Sequence, residues 1–224
     1  NYTWQKEFFD GLGRTTQVHA EGETGEIILA GTTVYNSRNM VDKQYVSDNC
    51  PDSQADYKAP EADWRYGSCT YDGLGRILTQ TNADNTTISY DFDTAGQVEV
   101  TNQRGYGKIY YYDAFEQLTK VEELNASDAV YATTEYSYDT LGNLTQVEDE
   151  DGNSANMTYD WLSRKTSMTD PDMGYWSYAY DAGGNLATQT DNRSQTITFS
   201  YDAMNRLTGK DYPAASGSTD VTYH

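Results

Sequence analysis

The chain has little of what metal centres and nucleophilic enzymes are built from. Among 224 residues there are two histidines, His19 and His224, too far apart to share a metal or a Ser/His/Asp relay. No CxxC, P-loop or GxSxG occurs, so neither catalytic residue, cofactor nor metal is expected. Prolines number four, and no long Pro/Gly/Ser tract suggests a flexible linker. Basic residues are scarce: 15 Lys and Arg stand against 35 Asp and Glu, a net charge of −20. That balance excludes nucleic acid, whose phosphates need a basic face, and disfavours anionic lipid. It reads as a solubilising surface. No apolar run nears the roughly 20 residues a helix needs to cross a bilayer, so membrane insertion is not expected. The first residue is Asn1, with neither Met nor a signal sequence, which marks a processed product or a piece of something longer.

The two cysteines, Cys50 and Cys69, fall in one polar stretch, SDNCPDSQADYKAPEADWRYGSC. A bridge closing a loop of about 20 residues would contribute about 3 kcal/mol in the chain-entropy model. The reading favours a Cys50–Cys69 disulfide and an oxidising, extracellular or cell-surface setting, two unrelated thiols being the alternative.

What the chain does have is tyrosine, 21 of them, with 18 glycines and many Thr, Asn and Asp. Aromatic and β-branched residues suit strands, and Gly, Asn and Asp suit the turns between them, so the composition predicts an all-β protein. An aromatic residue followed by Asp or Asn recurs as Phe9-Asp10, Tyr35-Asn36, Tyr71-Asp72, Phe92-Asp93, Tyr112-Asp113, Tyr138-Asp139, Tyr159-Asp160, Tyr180-Asp181 and Tyr201-Asp202. The steps are 26, 36, 21, 20, 26, 21, 21 and 21 residues, a period of 21 with insertions. Such self-similarity marks a repeat architecture. The longest insertion carries the cysteines, so a single repeat segment over 1–224 with a Cys-containing insertion at about 42–70 is expected.

Each column has a physical task. A flat aromatic once per module supplies packing. Three places after the Asp stand Gly13, Asn39, Gly75, Gly96, Glu116, Gly142, Ser163, Gly184 and Asn205, mostly types that accept positive φ. Glu116 and Ser163 break that rule and should mark strained or reshaped turns. Five places after the Asp an apolar residue usually restarts a strand, as Val41, Ile77, Leu144 and Leu207 do. The Asp itself initiates a turn by accepting from downstream N–H groups, a task Asn36 shares but which a general base could not delegate to Asn. The motif therefore reads as a corner, not a catalyst. Between corners the pattern alternates and turns again: strand Leu144 to Glu148, a turn at Asp151-Gly152, and a return strand Ala155 to Tyr159. Each module is a β-hairpin, and consecutive hairpins should pair into one continuous, curled antiparallel sheet.

The segments YDGLGRILTQT at Tyr71, YDTLGNLTQV at Tyr138 and YDAGGNLATQT at Tyr180 resemble the YD (Rhs) repeat of bacterial Rhs proteins, insecticidal toxin-complex shells and teneurins. That resemblance covers nearly the whole chain and implies a spiral β-sheet shell around a C-terminal polypeptide, often a toxin. Nine hairpins span about 85 Å at about 4.8 Å per strand, whereas a wall around a payload of about 100 residues needs a circumference of about 140 Å. The expected role is thus non-enzymatic: a wall segment whose partner is the remainder of a larger repeat chain.

The first strand and the closing GSTDVTYH leave open sheet edges, templates for further strands. The alternative role is accordingly a surface or fibre-forming protein in which copies of the chain add end to end. Trp64, Trp161 and Trp176 could stack on surface glycans, the alternative being packing against the sheet. Asp149 to Asn153, DEDGN, resembles a calcium loop without its twelfth-position Glu and reads as a hairpin tip.

Overall fold

The computed structural model describes residues 4–21, 27–46, 48–50, 56–212 and 221–222, with the backbone alone for 48–50 and 222. The described residues hold strands and turns and no helix, hence none long and apolar enough to cross a membrane. Every described pairing given a register is antiparallel, as the hairpin period predicts. The chain divides into two compact units, Asn1–Ile109 with Asn125–Asp128, and Tyr110–Leu124 with Ala129–His224.

The first unit contains β1 (Gln5–Phe9), β2 (Thr15–Glu21), β3 (Ile27–Tyr35), β4 (Val41–Tyr45), β5 (Asp48–Cys50), β6 (Tyr66–Tyr71), β7 (Ile77–Thr81), β8 (Thr87–Asp91) and β9 (Gln97–Thr101). Strand β10 (Gly107–Tyr112) runs across the division. The second unit continues with β11 (Leu118–Leu124), β12 (Val130–Tyr138), β13 (Leu144–Asp149), β14 (Ser154–Tyr159) and β15 (Lys165–Asp170). It ends with β16 (Gly174–Tyr180), β17 (Leu186–Thr190), β18 (Thr196–Tyr201), β19 (Leu207–Asp211) and β20 (Val221–Thr222).

In the second unit each strand pairs with the next, and the register sorts side chains cleanly. Tyr136, Val147 and Ala155 lie level on one face, as do Met157, Met168 and Trp176. The opposite face carries a row of hydroxyls, Thr158, Ser167, Ser177, Thr190 and Thr196. Among the described residues few side chains are fully buried here, Val121, Leu124 and Met157 being the apolar ones.

The first unit departs from this plan at the insertion. Strands β4 and β5 follow one edge of β3 in turn, Tyr45 opposite Thr32 and Cys50 opposite Ile27. Strand β6 then pairs with β4, Ser68 opposite Lys43. Residues 56–64 cross back over the sheet as a strap. Beneath it Phe8, Gln17, Thr32, Tyr45 and Tyr66 form one level row across five strands. Tyr57 meets the Phe8 ring edge-on at 5.9 Å and Trp64 meets Tyr45 at 6.1 Å. Among the described residues His19, Gln17 and Thr32 are the largest fully buried side chains, with Leu29 level with His19 and the equally buried Ala20 on the opposite face.

The expected Cys50–Cys69 bridge is corrected by this register. Cys69 is a free thiol, and the side chain of Cys50 lies outside the described residues. With Lys43 opposite Ser68, Cys69 falls level with Asp42, whereas Cys50 lies eight residues further along the same edge. That is about 25 Å of extended chain, far beyond the roughly 7 Å a disulfide can span between Cα atoms. Proximity in sequence misled because the intervening segment crosses the sheet instead of closing a loop.

Candidate functional site: the repeat corner

The corner at Asp139 shows how local chemistry makes the turn. Its backbone N–H donates to Asn143 O at 2.9 Å, and Gly142 N–H donates back to Asp139 O at 3.0 Å. Oδ1 of Asp139 accepts the backbone N–H groups of Leu141 and Asn143, both at 2.9 Å. Oδ2 accepts Asn143 Nδ2 at 2.8 Å. A single carboxylate thus satisfies three donors that strands on either side leave unpaired. Gly142 closes the turn at φ 84°, where a Cβ would be strained.

The same arrangement recurs around Asp10, Asp72, Asp160, Asp181 and Asp202, with their N–H groups donating four residues ahead. Around Asp113 the carboxylate caps Phe115 and Gln117, and around Asn36 the amide oxygen caps Arg38 and Met40. The left-handed position is taken by Gly13, Asn39, Gly75, Glu116, Ser163, Gly184 and Asn205. Glu116 and Ser163 hold φ of 63° and 59° while keeping the ordinary turn bonds to Asp113 and Asp160. These turns are strained rather than reshaped.

Four places after the Asp stands a partner that the sequence reading did not single out. Arg14, Arg76, Arg164 and Arg206 donate Nε to Oδ2 of their own corner aspartate at 2.6 to 2.7 Å. Three of these guanidiniums then lie over the aromatic ring of the next module: Arg14 over Tyr35 at 4.0 Å, Arg76 over Phe92 at 4.1 Å and Arg164 over Tyr180 at 4.6 Å. Each of these three is therefore paired to its own corner and stacked on the following one.

The tyrosine hydroxyls close the connection. Tyr35 OH donates to Thr15 O, Tyr71 OH to Val41 O, Tyr138 OH to Leu118 O, Tyr180 OH to Lys165 O and Tyr201 OH to Leu186 O, at 2.8 to 3.2 Å. In every case the acceptor is the residue five places after the previous corner's Asp or Asn. Tyr71 keeps this rule although the strap lies between it and Val41 in sequence. Tyr159 instead directs its hydroxyl at Met157 Sδ, 3.9 Å away. Burial pushes the Tyr71, Tyr138 and Tyr159 hydroxyls above the usual phenol value, which keeps them protonated as donors.

The Phe92-Asp93 module is built differently. Asp91 Oδ1 accepts Asp93 N–H at 2.7 Å and Gln97 N–H donates to Thr94 O, with Gly96 at φ 75°. Strands β8 and β9 keep one register from Ser89 to Asp91, without the one-residue shift seen at Tyr71, Tyr138, Tyr159, Tyr180 and Tyr201. Phe9 is exposed, Tyr112 ends β10, and neither Phe9 nor Phe92 has a hydroxyl to donate.

A second row of corners lies at the other end of the hairpins. Asn82, Asn102, Asp149 and Asp191 repeat the four-ahead bond, with Asn85, Gly105, Gly152 and Ser194 at positive φ. The DEDGN stretch is one of these, anchored on Asp149. Their signal is an Asn or Asp nine or ten residues after Asp72, Asp93, Asp139 and Asp181. No group of three or more His, Cys, Asp or Glu side chains among the described residues could hold a metal.

Chemically these carboxylates are locked. The Asn143 side chain and backbone hold the Asp139 carboxyl below the usual range. Arg164 does the same for Asp160, and for Asp10 the backbone N–H of Arg14 is the largest cause. A carboxylate saturated with donors and hard to protonate is poorly suited to general acid or base work near neutral pH. Of the tryptophans, Trp176 donates Nε1 to Met173 O at 3.2 Å, Trp64 packs under Lys58, and Trp161 is 94% exposed.

Fold and corner together define a tandem β-hairpin repeat whose recurring columns join most hairpins to the next. The RHS Repeat family model matches residues 71–106, 138–174 and 180–217, and the chain belongs to that family. No curated protein matches. The crystal structure of TcdB2-TccC3 is similar over 96% of this chain and 13% of its own length, at 17% identity and a TM-score of 0.76. The Photorhabdus luminescens Tc holotoxin pore matches over 96% of this chain and 13% of its own length, at 16% identity and a TM-score of 0.75. At such identities the likeness is one of fold, and this chain spans about an eighth of those proteins.

Proposed function

We propose that this chain is a structural, non-enzymatic wall segment of an Rhs-type β-shell that encloses a polypeptide outside the cell or at its surface. Its immediate partner is the rest of a larger repeat chain. The corner residues are its functional elements, and the whole of 1–224 acts as one wall segment in which the 42–70 insertion is an addition. The observation that carries this reading is where the repeat-specific side chains are used. The Asp fixes its own turn, the Arg reaches from one module to the next ring, and the Tyr hydroxyl reaches back to the preceding strand. Chemistry so fully engaged in joining hairpins leaves no reactive constellation at the corners and suits a wall.

Electron cryomicroscopy of the full gene product tests the proposal. The expected outcome is a closed chamber with these hairpins in its wall and density for a polypeptide inside. A solid rod, or an open sheet with no chamber, overturns it.

A further inference from the structure

We propose that His19 makes the strap over the first unit an acid-released cover, closed while the imidazole is neutral and opened when it gains a proton. The hydrogen bonds fix the starting state. Gln17 Nε2 donates to Lys58 O at 2.7 Å and to Thr32 Oγ1 at 3.0 Å, while Gln17 Oε1 accepts Lys58 N–H at 2.9 Å. The amide orientation is therefore set by the strap's own backbone. Because Oε1 is an acceptor, the 2.8 Å contact from His19 Nε2 must be an N–H donation. Nδ1 is then the aprotic nitrogen, and it has no hydrogen-bond partner although the side chain is 0% exposed.

Protonation of this ring places an N–H and a charge where neither can be satisfied. Of the groups around it, Lys6 adds to the cost. Lys6 lies level with His19 on β1, β3 offers the uncharged Leu29 and Thr32, and one strand further β5 places Asp48 level with Leu29. Glu21 lies two residues along β2. The strap brings Lys58, and its acids Asp56 and Glu61 are engaged with Lys6 at 3.8 Å and Lys58 at 2.9 Å. The Phe8 ring covers the imidazole at 4.8 Å. Burial, with Lys6 second, holds the His19 pKa below its ordinary 6.5. Closure is then fully favoured above that value and lost as pH falls through the lowered one. Opening uncovers the Phe8–Gln17–Thr32–Tyr45 row, which is otherwise buried or half-buried.

The test is amide hydrogen exchange by NMR, following protection of the Lys58 N–H from pH 7.5 to 5.0 after correction for intrinsic rates. A closed state admitting only neutral His19 predicts a loss of up to about 30-fold at pH 5.0, the factor by which an open-state imidazole of ordinary pKa is protonated there. His19→Gln should abolish that pH dependence, and Gln17→Ala should leave Lys58 unprotected throughout. A flat wild-type profile, or an equal loss in His19→Gln, overturns the proposal. Where His19→Gln does not fold, direct titration of the His19 ring in the wild-type chain decides: a pKa at or above 6.5 overturns the proposal and one below supports it.

Discussion

Two rows of side chains, one in each unit, hold comparable places on their strands and have opposite fates. In the first unit Phe8, Gln17, Thr32, Tyr45 and Tyr66 run level across five strands and lie beneath residues 56–64. In the second, Thr158, Ser167, Ser177, Thr190 and Thr196 run level across five strands, and the hydroxyls bond one another, Thr158 to Ser167 at 2.6 Å and Thr190 to Thr196 at 2.8 Å. Gln17 and Ser167 both stand seven places after a corner aspartate. Among the described residues the strands of the second unit are held by ladders and corners, and the cover of the first unit comes from an insertion.

That contrast can be broken most forcefully with acid. Among the described residues the second unit holds six turn aspartates, at positions 139, 149, 160, 181, 191 and 202, whose hydrogen-bond donors lower their pKa values, against Asp10, Asp72 and Asp84 in the first. Lowered carboxylates stabilise the fold above their ordinary 3.8 and cease to do so as pH falls through the depressed values. Circular dichroism against pH should show the second unit losing its transition below pH 3.8 more steeply than the first. Equal loss in both would remove the corners as the main support.

Core truncation should sharpen the comparison. Leu29→Ala beneath the strap should cost about 3 kcal/mol in denaturant titration, and Met157→Ala in the uncovered sheet about 2, since its half-exposed neighbours can relax. Equal costs would mean that the strap adds no packing. Tyr138→Phe removes one hydroxyl bond to Leu118 O and should cost about 1 kcal/mol, while Tyr159→Phe, whose hydroxyl faces only a thioether, should cost less. The smallest effect belongs to Ser163→Gly, which relieves a positive φ and should stabilise by about 0.5 kcal/mol, the reverse of Gly142→Ala.

The hairpins and the Asp-centred turn were legible in the sequence because everything that makes them lies within five residues: the Asp, the downstream N–H groups it caps and the residue at positive φ. What depends on register between modules was not. The Tyr138 hydroxyl reaches Leu118, 20 positions back, and only the preference for Tyr over Phe hinted at it. The strap was visible merely as an insertion, since nothing in its composition announces that Lys58 will lie on Gln17. The Cys50–Cys69 bridge was inferred from loop length and undone by the path of β5. The Phe92-Asp93 corner went astray because the chain offers two aspartates two residues apart, and the turn is capped by the earlier, Asp91.

The reach of the tyrosine hydroxyl sets a rule for how such a repeat can evolve. Each of the five that donate to a carbonyl reaches only the strand after the preceding corner, so removing one complete unit of 21 residues leaves the next such tyrosine facing an equivalent carbonyl. Unequal recombination can therefore lengthen or shorten the gene by whole courses, as a mason adds or removes a row of bricks, without recutting any other piece.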